Sequence, residues 1–232
     1  MNSTNRRQRT ALAEITKICA AHADIFRGNP VAEQMLAKLH AASDSVEAAS
    51  AAFESARAAA RNATVARKGA RDGLRGALKA IAHTGPVVAI QAGATARFKM
   101  PKGCSDLQLA DIAKDFVDRA TRFADKFAEH KLPANVIADL PARIAALRGA
   151  MDDQTAAHRA HKSARQVYLA QLKSSAEPMD ALERIYMNAF GGDTKAVSDW
   201  KSARRIGPSR TADVPAAAPA QAPGTPSTTT PA

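Results

Sequence analysis

The chain has 232 residues, of which 46% are apolar but only 4% aromatic, and it carries a formal net charge of +11. Alanine supplies much of the apolar content, so the bulky rings that fill a thick globular interior are missing and thin helix pairs are favoured. The two cysteines, Cys19 and Cys104, lie far apart, which excludes a disulfide framework or a cysteine zinc site.

In chain order, residues 1–9 read as a flexible basic terminus with no apolar stretch of signal-peptide type behind it. Leu12, Ile15, Ile18 or Cys19, and Ile25 or Phe26 then mark a short amphipathic helix over Thr10 to Phe26. Arg27-Gly28 stops it. Asn29 supplies an N-cap and Pro30 a first-turn proline for the next helix.

That second helix is the most informative stretch. Fifteen consecutive a/d slots of one heptad register run from Ala32 to Ile81, and fourteen are apolar: Ala32, Met35, Leu39, Ala42, Val46, Ala49, Phe53, Ala56, Ala60, Ala63, Ala70, Leu74, Ala77 and Ile81. The fifteenth is Arg67. A 3–4 spacing held this long predicts a helix of roughly 75 Å that lays a narrow seam along a partner helix and ends near Thr84-Gly85-Pro86.

Residues 85–104 break the period. Val87, Val88 and Ile90 are β-formers, and Phe98 and Met100 alternate with Arg97 and Lys99, so a small hairpin or an extended strap fits. Ser105 and Gln108 have capping-box spacing and open a third helix, whose face of Leu109, Ile112, Phe116, Ala120, Phe123 and Phe127 runs to about His130. After Leu132-Pro133, the series Ile137, Leu140, Ile144, Leu147 and Met151 opens a second long seam. Pro141 and Pro178 predict a late start, a kink, or a break near Ser174-Ser175. Met179, Leu182, Ile185 and Tyr186 carry the pattern to Phe190, Gly191-Gly192 ends it, and a last short helix over Thr194 to Ile206 holds Trp200. Residues 207–232 are Pro, Ala, Thr and Ser without periodicity and read as a disordered tail.

The expected fold is therefore all-α: an elongated antiparallel helical bundle or coiled coil with two long and two to three short helices, forming a single domain over 10–206. A faint internal repeat links 10–84 with 105–190, since Ile15, Cys19 and His22 lie 108 residues before Phe123, Phe127 and His130.

Three segments, FKMPKGCSDLQLADIAKDF (98–116), HKLPANVIADLPARI (130–144) and WKSARRI (200–206), resemble a family of uncharacterised all-helical bacterial proteins of about this size. The resemblance implies an all-helical fold and brings no activity, ligand or site with it.

Candidate chemistry is sparse. Arg57, Arg61, Lys68, Arg71 and Arg75 alternate between heptad e and b positions and stack into a basic row beside the seam, which suits a polyanion. Lys201, Arg204 and Arg205 add a basic terminal helix. The plainer account is that acids or water neutralise the row, and no nucleic-acid motif or stacking aromatics accompany it. Arg67 needs a partner, because an unpaired charge in a seam costs several kcal/mol; pairing the long helices about their midpoints puts Asp152 and Asp153 opposite it. His158 and His161 form an i, i+3 pair near those aspartates, yet Ala157, Ala160, Ala164 and Val167 make the expected core stripe, with both histidines on a flank. Cys104 precedes a helix N-terminus, where a thiol is acidified, but reads as a loop cysteine. Trp200 either docks its helix on the bundle or meets a partner.

The residues thus point to contact rather than chemistry: a cytoplasmic, non-catalytic scaffold or interaction protein with no cofactor, metal or small-molecule substrate, and with protein partners; self-association stays open, because an a/d seam can close within one chain or between two copies. The alternative is a nucleic-acid-binding module using the basic row and terminal helix. No run approaches the roughly 20 apolar residues needed to cross a bilayer.

Overall fold

The computed structural model describes residues 3–95, 98–100 and 103–205, and among them every regular element is an α-helix. The tail at 206–232 lies outside the described residues. The chain divides into two compact units, one formed by residues up to Leu39 and from Glu177 onward, the other by His40–Ala176.

The first unit holds α1 (Ser3–Ala21), α2 (Ala23–Phe26), the opening turns of α3 (Pro30–Gln91), α8 (Ala176–Phe190) and α9 (Thr194–Arg204). α1 starts well before Thr10, so the basic terminus is helical from Ser3; its arginines are good helix formers, and Thr10 Oγ1 donates back to the Arg6 carbonyl at 2.9 Å. Leu12, Ile15 and Cys19 follow at 3–4 spacing and are buried. α1 packs directly against α9. The start of α3 is built as its sequence predicts, since Asn29 Oδ1 accepts from the Val31 and Ala32 amides at 3.1 and 3.2 Å, and Pro30 gives up only an N–H that has no partner at a helix start.

The second unit holds the rest of α3 with α4 (Asp106–Thr121), α5 (Ala124–Glu129), α6 (Ala134–Ala138) and α7 (Leu140–Ser174). Its core joins Leu74, Leu78, Ile81 and Val88 of α3 to Leu109 and Phe116 of α4, Phe127 of α5, and Leu140, Ile144 and Leu147 of α7. Within this unit α3 and α7 run antiparallel: Gly73 meets Arg143, Thr64 meets Gln154, and Phe53 stacks on His161 and Tyr168. All fifteen seam positions from Ala32 to Ile81 are buried or half-buried.

Two later boundaries differ from expectation. α3 continues through Gly85-Pro86 to Gln91, and no hairpin forms over the described residues of 86–103. Leu78, Ile81, Gly85 and Val88 keep the 3–4 spacing across the proline, so burial of that face outweighs one missing amide donor. Gly85 is required where it stands: a Cβ there would lie 2.5 Å from the Phe98 ring, so the segment after the helix closes directly onto its backbone. The third predicted helix breaks at Arg122-Phe123 into α4 and α5. Phe98 meets both Phe116 and Phe127 edge-on at 5.6 Å, whereas eleven residues of straight helix would separate those two rings by about 16 Å. The bend brings both onto one partner. The long fourth helix breaks at Ser175, one of the outcomes its prolines predict, leaving Pro178 in the first turn of α8, where it is tolerated.

Candidate functional site

The one buried carboxylate among the described residues organises the second unit. Asp106 sits at the start of α4, positioned by a complete capping box in which Ser105 and Gln108 satisfy each other's backbone amides. Its side chain is 3% exposed, and two guanidiniums from successive turns of α3 clamp it: Arg67 Nε donates to Oδ2 at 2.7 Å, and Arg71 Nε lies 3.1 Å from Oδ1. Arg67 Nη1 also donates to Gln154 Oε1 at 2.6 Å, Gln154 Nε2 donates to Thr64 Oγ1 at 3.0 Å, and Arg71 Nη2 donates to the Cys104 carbonyl at 3.1 Å. Three helices are tied at one point. Each charged member of this network faces another member, an arrangement that ties the register of the three helices.

This corrects the expected partner of Arg67. Asp152 and Asp153 are exposed, and the carboxylate comes from α4 instead. Midpoint counting placed the register well, because Gln154 is the residue of α7 that reaches Arg67, but one further residue turns a side chain by about 100° and exchanges the facing group. Asp106 and Gln154 were not anticipated. The available signal was the i, i+4 spacing of Arg67 and Arg71 beside an acid in a capped first turn, though nothing local says which helix start meets α3.

The basic row is not presented as one surface. Arg61 and Lys68 are exposed and Arg75 half-buried, while Arg71 turns inward to Asp106 and Arg57 reaches Glu54 at 3.4 Å. In the terminal helix, Arg204 is held by Asp180 and Glu183, leaving Lys201 and Arg205 exposed. His158 is exposed, whereas His161 belongs to the seam rather than a flank: it stacks on Phe53 with centroids 5.2 Å apart, and its Nε2 is buried without a hydrogen-bond partner. The stripe of α7 runs Gln154, Ala157, His161, Ala164 and Tyr168, and the expected members Ala160 and Val167 face water. Phe53 decides this, since it stacks on Tyr168 as well, at 6.0 Å. Among the described residues, no group of three or more His, Cys, Asp or Glu is placed to hold a metal ion.

In the first unit, Trp200 is wholly buried and stacks on Tyr186 at 4.6 Å, which makes it the plug that docks α9. His22 meets Tyr186 and Phe190 edge-on at 5.6 and 5.1 Å. Cys19 lies in the same core, and burial pushes its thiol up to about 12. Burial also raises the Tyr186 phenol, with smaller contributions from Asp199, Asp193 and Cys19. Such a thiol is a packing residue, not a nucleophile. Back in the second unit, an apolar groove of about 350 Å³ is lined by Val117, Phe127, Leu132, Ile137 and Pro141.

Compared with protein-family models, curated proteins and solved structures, the chain matches none. The all-helical fold implied by the sequence resemblance is present. No helix among the described residues is long and apolar enough to cross a membrane.

Proposed function

We propose that the protein acts by contact, as a non-catalytic cytoplasmic scaffold or adaptor. The observation that carries this reading is the Asp106 network, where a buried carboxylate is held between two half-buried guanidiniums and joins three helices. Apolar side chains meanwhile stand on the surface: Val87 and Ile90, one turn apart near the end of α3, are 47% and 80% exposed. Stoichiometric co-purification of a partner with the full chain, lost on Ile90→Glu at unchanged melting temperature, supports the reading. A turnover abolished by Asp106→Asn in a folded protein overturns it.

The nucleic-acid alternative retains Arg61, Lys68, Lys201 and Arg205 as exposed cations. It predicts a low-salt gel shift that weakens steeply with added salt and disappears on Arg61→Glu with Lys68→Glu. No shift at low salt removes it.

A further inference from the structure

One end of the first unit gathers cations that its own acids do not neutralise. α8 and α9 form a hairpin closed by Gly191-Gly192: Tyr186 stacks on Trp200, and toward the open end Arg204 returns to Asp180 and Glu183. α1 packs on α9, and its His22 meets Tyr186 and Phe190 near the closed end. The buried face of α1 leads back from there through Cys19, Ile15 and Leu12, so α1 runs antiparallel to α9. At about 1.5 Å per residue, Arg6 and Arg7 lie roughly 23 Å before His22 and Arg205 about 18 Å beyond Asp193, which brings them to the same open end. Arg6, Arg7, Lys201 and Arg205 are all exposed there.

The acids of these helices are committed elsewhere. Asp180 and Glu183 hold Arg204, Glu177 pairs with Lys38, and Glu14 with Lys17. Asp193 caps α9, and Asp199 acts on Tyr186. Arg184 lines a groove with Asp180 and Glu183, and half-buried Arg9 is already engaged, so neither is counted. Among the described residues, no acid pairs with the four exposed cations. The first turn of α1 holds no acid either, so Arg6 and Arg7 oppose the helix dipole as well as Arg205. Like charges gathered in this way cost stability, and a polyanion offsets that cost.

We propose that Arg6, Arg7, Lys201 and Arg205 form a face that holds nucleic acid by its phosphate backbone, without reading its sequence. A lipid surface fits less well, because an interfacial helix inserts an apolar face, and here Leu12, Ile15 and Trp200 are buried in the unit's own core. Base stacking has no platform, since Trp200 and Tyr186 are buried too. Contact is therefore electrostatic. Four neutralised phosphates give log Kd a slope of about 3.6 against log salt, so binding to a duplex weakens roughly 150-fold between about 50 and 200 mM.

This inference rests on the nucleic-acid reading of the function and moves its contact from α3 to the first unit. The test is fluorescence anisotropy of a short labelled DNA duplex with the full chain at several salt concentrations, with phosphatidylserine-containing vesicles as a second arm. Arg6→Gln with Arg7→Gln, and separately Lys201→Gln with Arg205→Gln, should each halve the salt slope and weaken low-salt binding tenfold or more, with Trp200 emission unchanged. Arg61→Gln with Lys68→Gln should alter neither readout. Loss of binding in that α3 variant alone overturns the inference and keeps the nucleic-acid reading, whereas no binding of the duplex at low salt overturns both. Tighter binding to the vesicles than to the duplex, through the same four residues, overturns the choice of partner.

Discussion

At the scale of single residues, Asp106 carries the largest electrostatic stake. Removing it leaves Arg67 and Arg71 without their carboxylate, and their side chains are 38% and 35% exposed, so both rehydrate in part. Asp106→Ala is expected to cost about 3 kcal/mol, the low end for breaking a buried pair, read as a shift of the urea midpoint at constant m-value. Gly85 carries a steric stake: Gly85→Ala drives a methyl into Phe98 and should destabilise by about 1–3 kcal/mol, whereas Gly149→Ala, with nothing within 4 Å, should stabilise by about 0.5–1 kcal/mol. Cys19 carries a pH dependence. Its folded thiol is raised from 9.0 to about 12, so the folded state holds a proton that the unfolded chain releases. That contribution is complete below pH 9 and lost as pH climbs toward 12, with Tyr186 acting in the same direction. Denaturation midpoints measured across this interval should fall less steeply in Cys19→Ala.

Elements were legible where the signal is local. The capping pairs Asn29 with Pro30 and Ser105 with Gln108 stand as the sequence predicts, because a cap is made between neighbours in the chain. Proline was ambiguous. Pro178 falls in a first turn and Pro86 sits inside α3, and only the burial of Val88 beyond it tells the two apart. Pro86 cannot donate to the carbonyl of Ala82, one turn back in the helix. Pro86→Ala therefore restores a helix bond on an exposed position and should stabilise by about 1–3 kcal/mol in thermal melts, provided that α3 is continuous there. An unchanged or lowered melting temperature would mean that the proline is better accommodated than a regular helix allows.

At the scale of the whole molecule, each unit has its own core, and the only tryptophan reports on the first. Trp200 emission should be blue-shifted and insensitive to iodide. Leu12→Ala should lower the fluorescence midpoint by the equivalent of about 2–5 kcal/mol while leaving amide-exchange protection around Ile144 and Leu147 unchanged. The sequence by itself determined the all-helical class, the helix caps and the fifteen-position seam, since heptad period and helix capping are properties of neighbours along one chain. The partner of Arg67, the bend that brings Phe116 and Phe127 onto Phe98, and the inward turn of His161 were decided only in three dimensions. Each depends on which side chains from distant segments share one small volume, and a rotation of about 100° per residue makes that choice invisible to spacing alone.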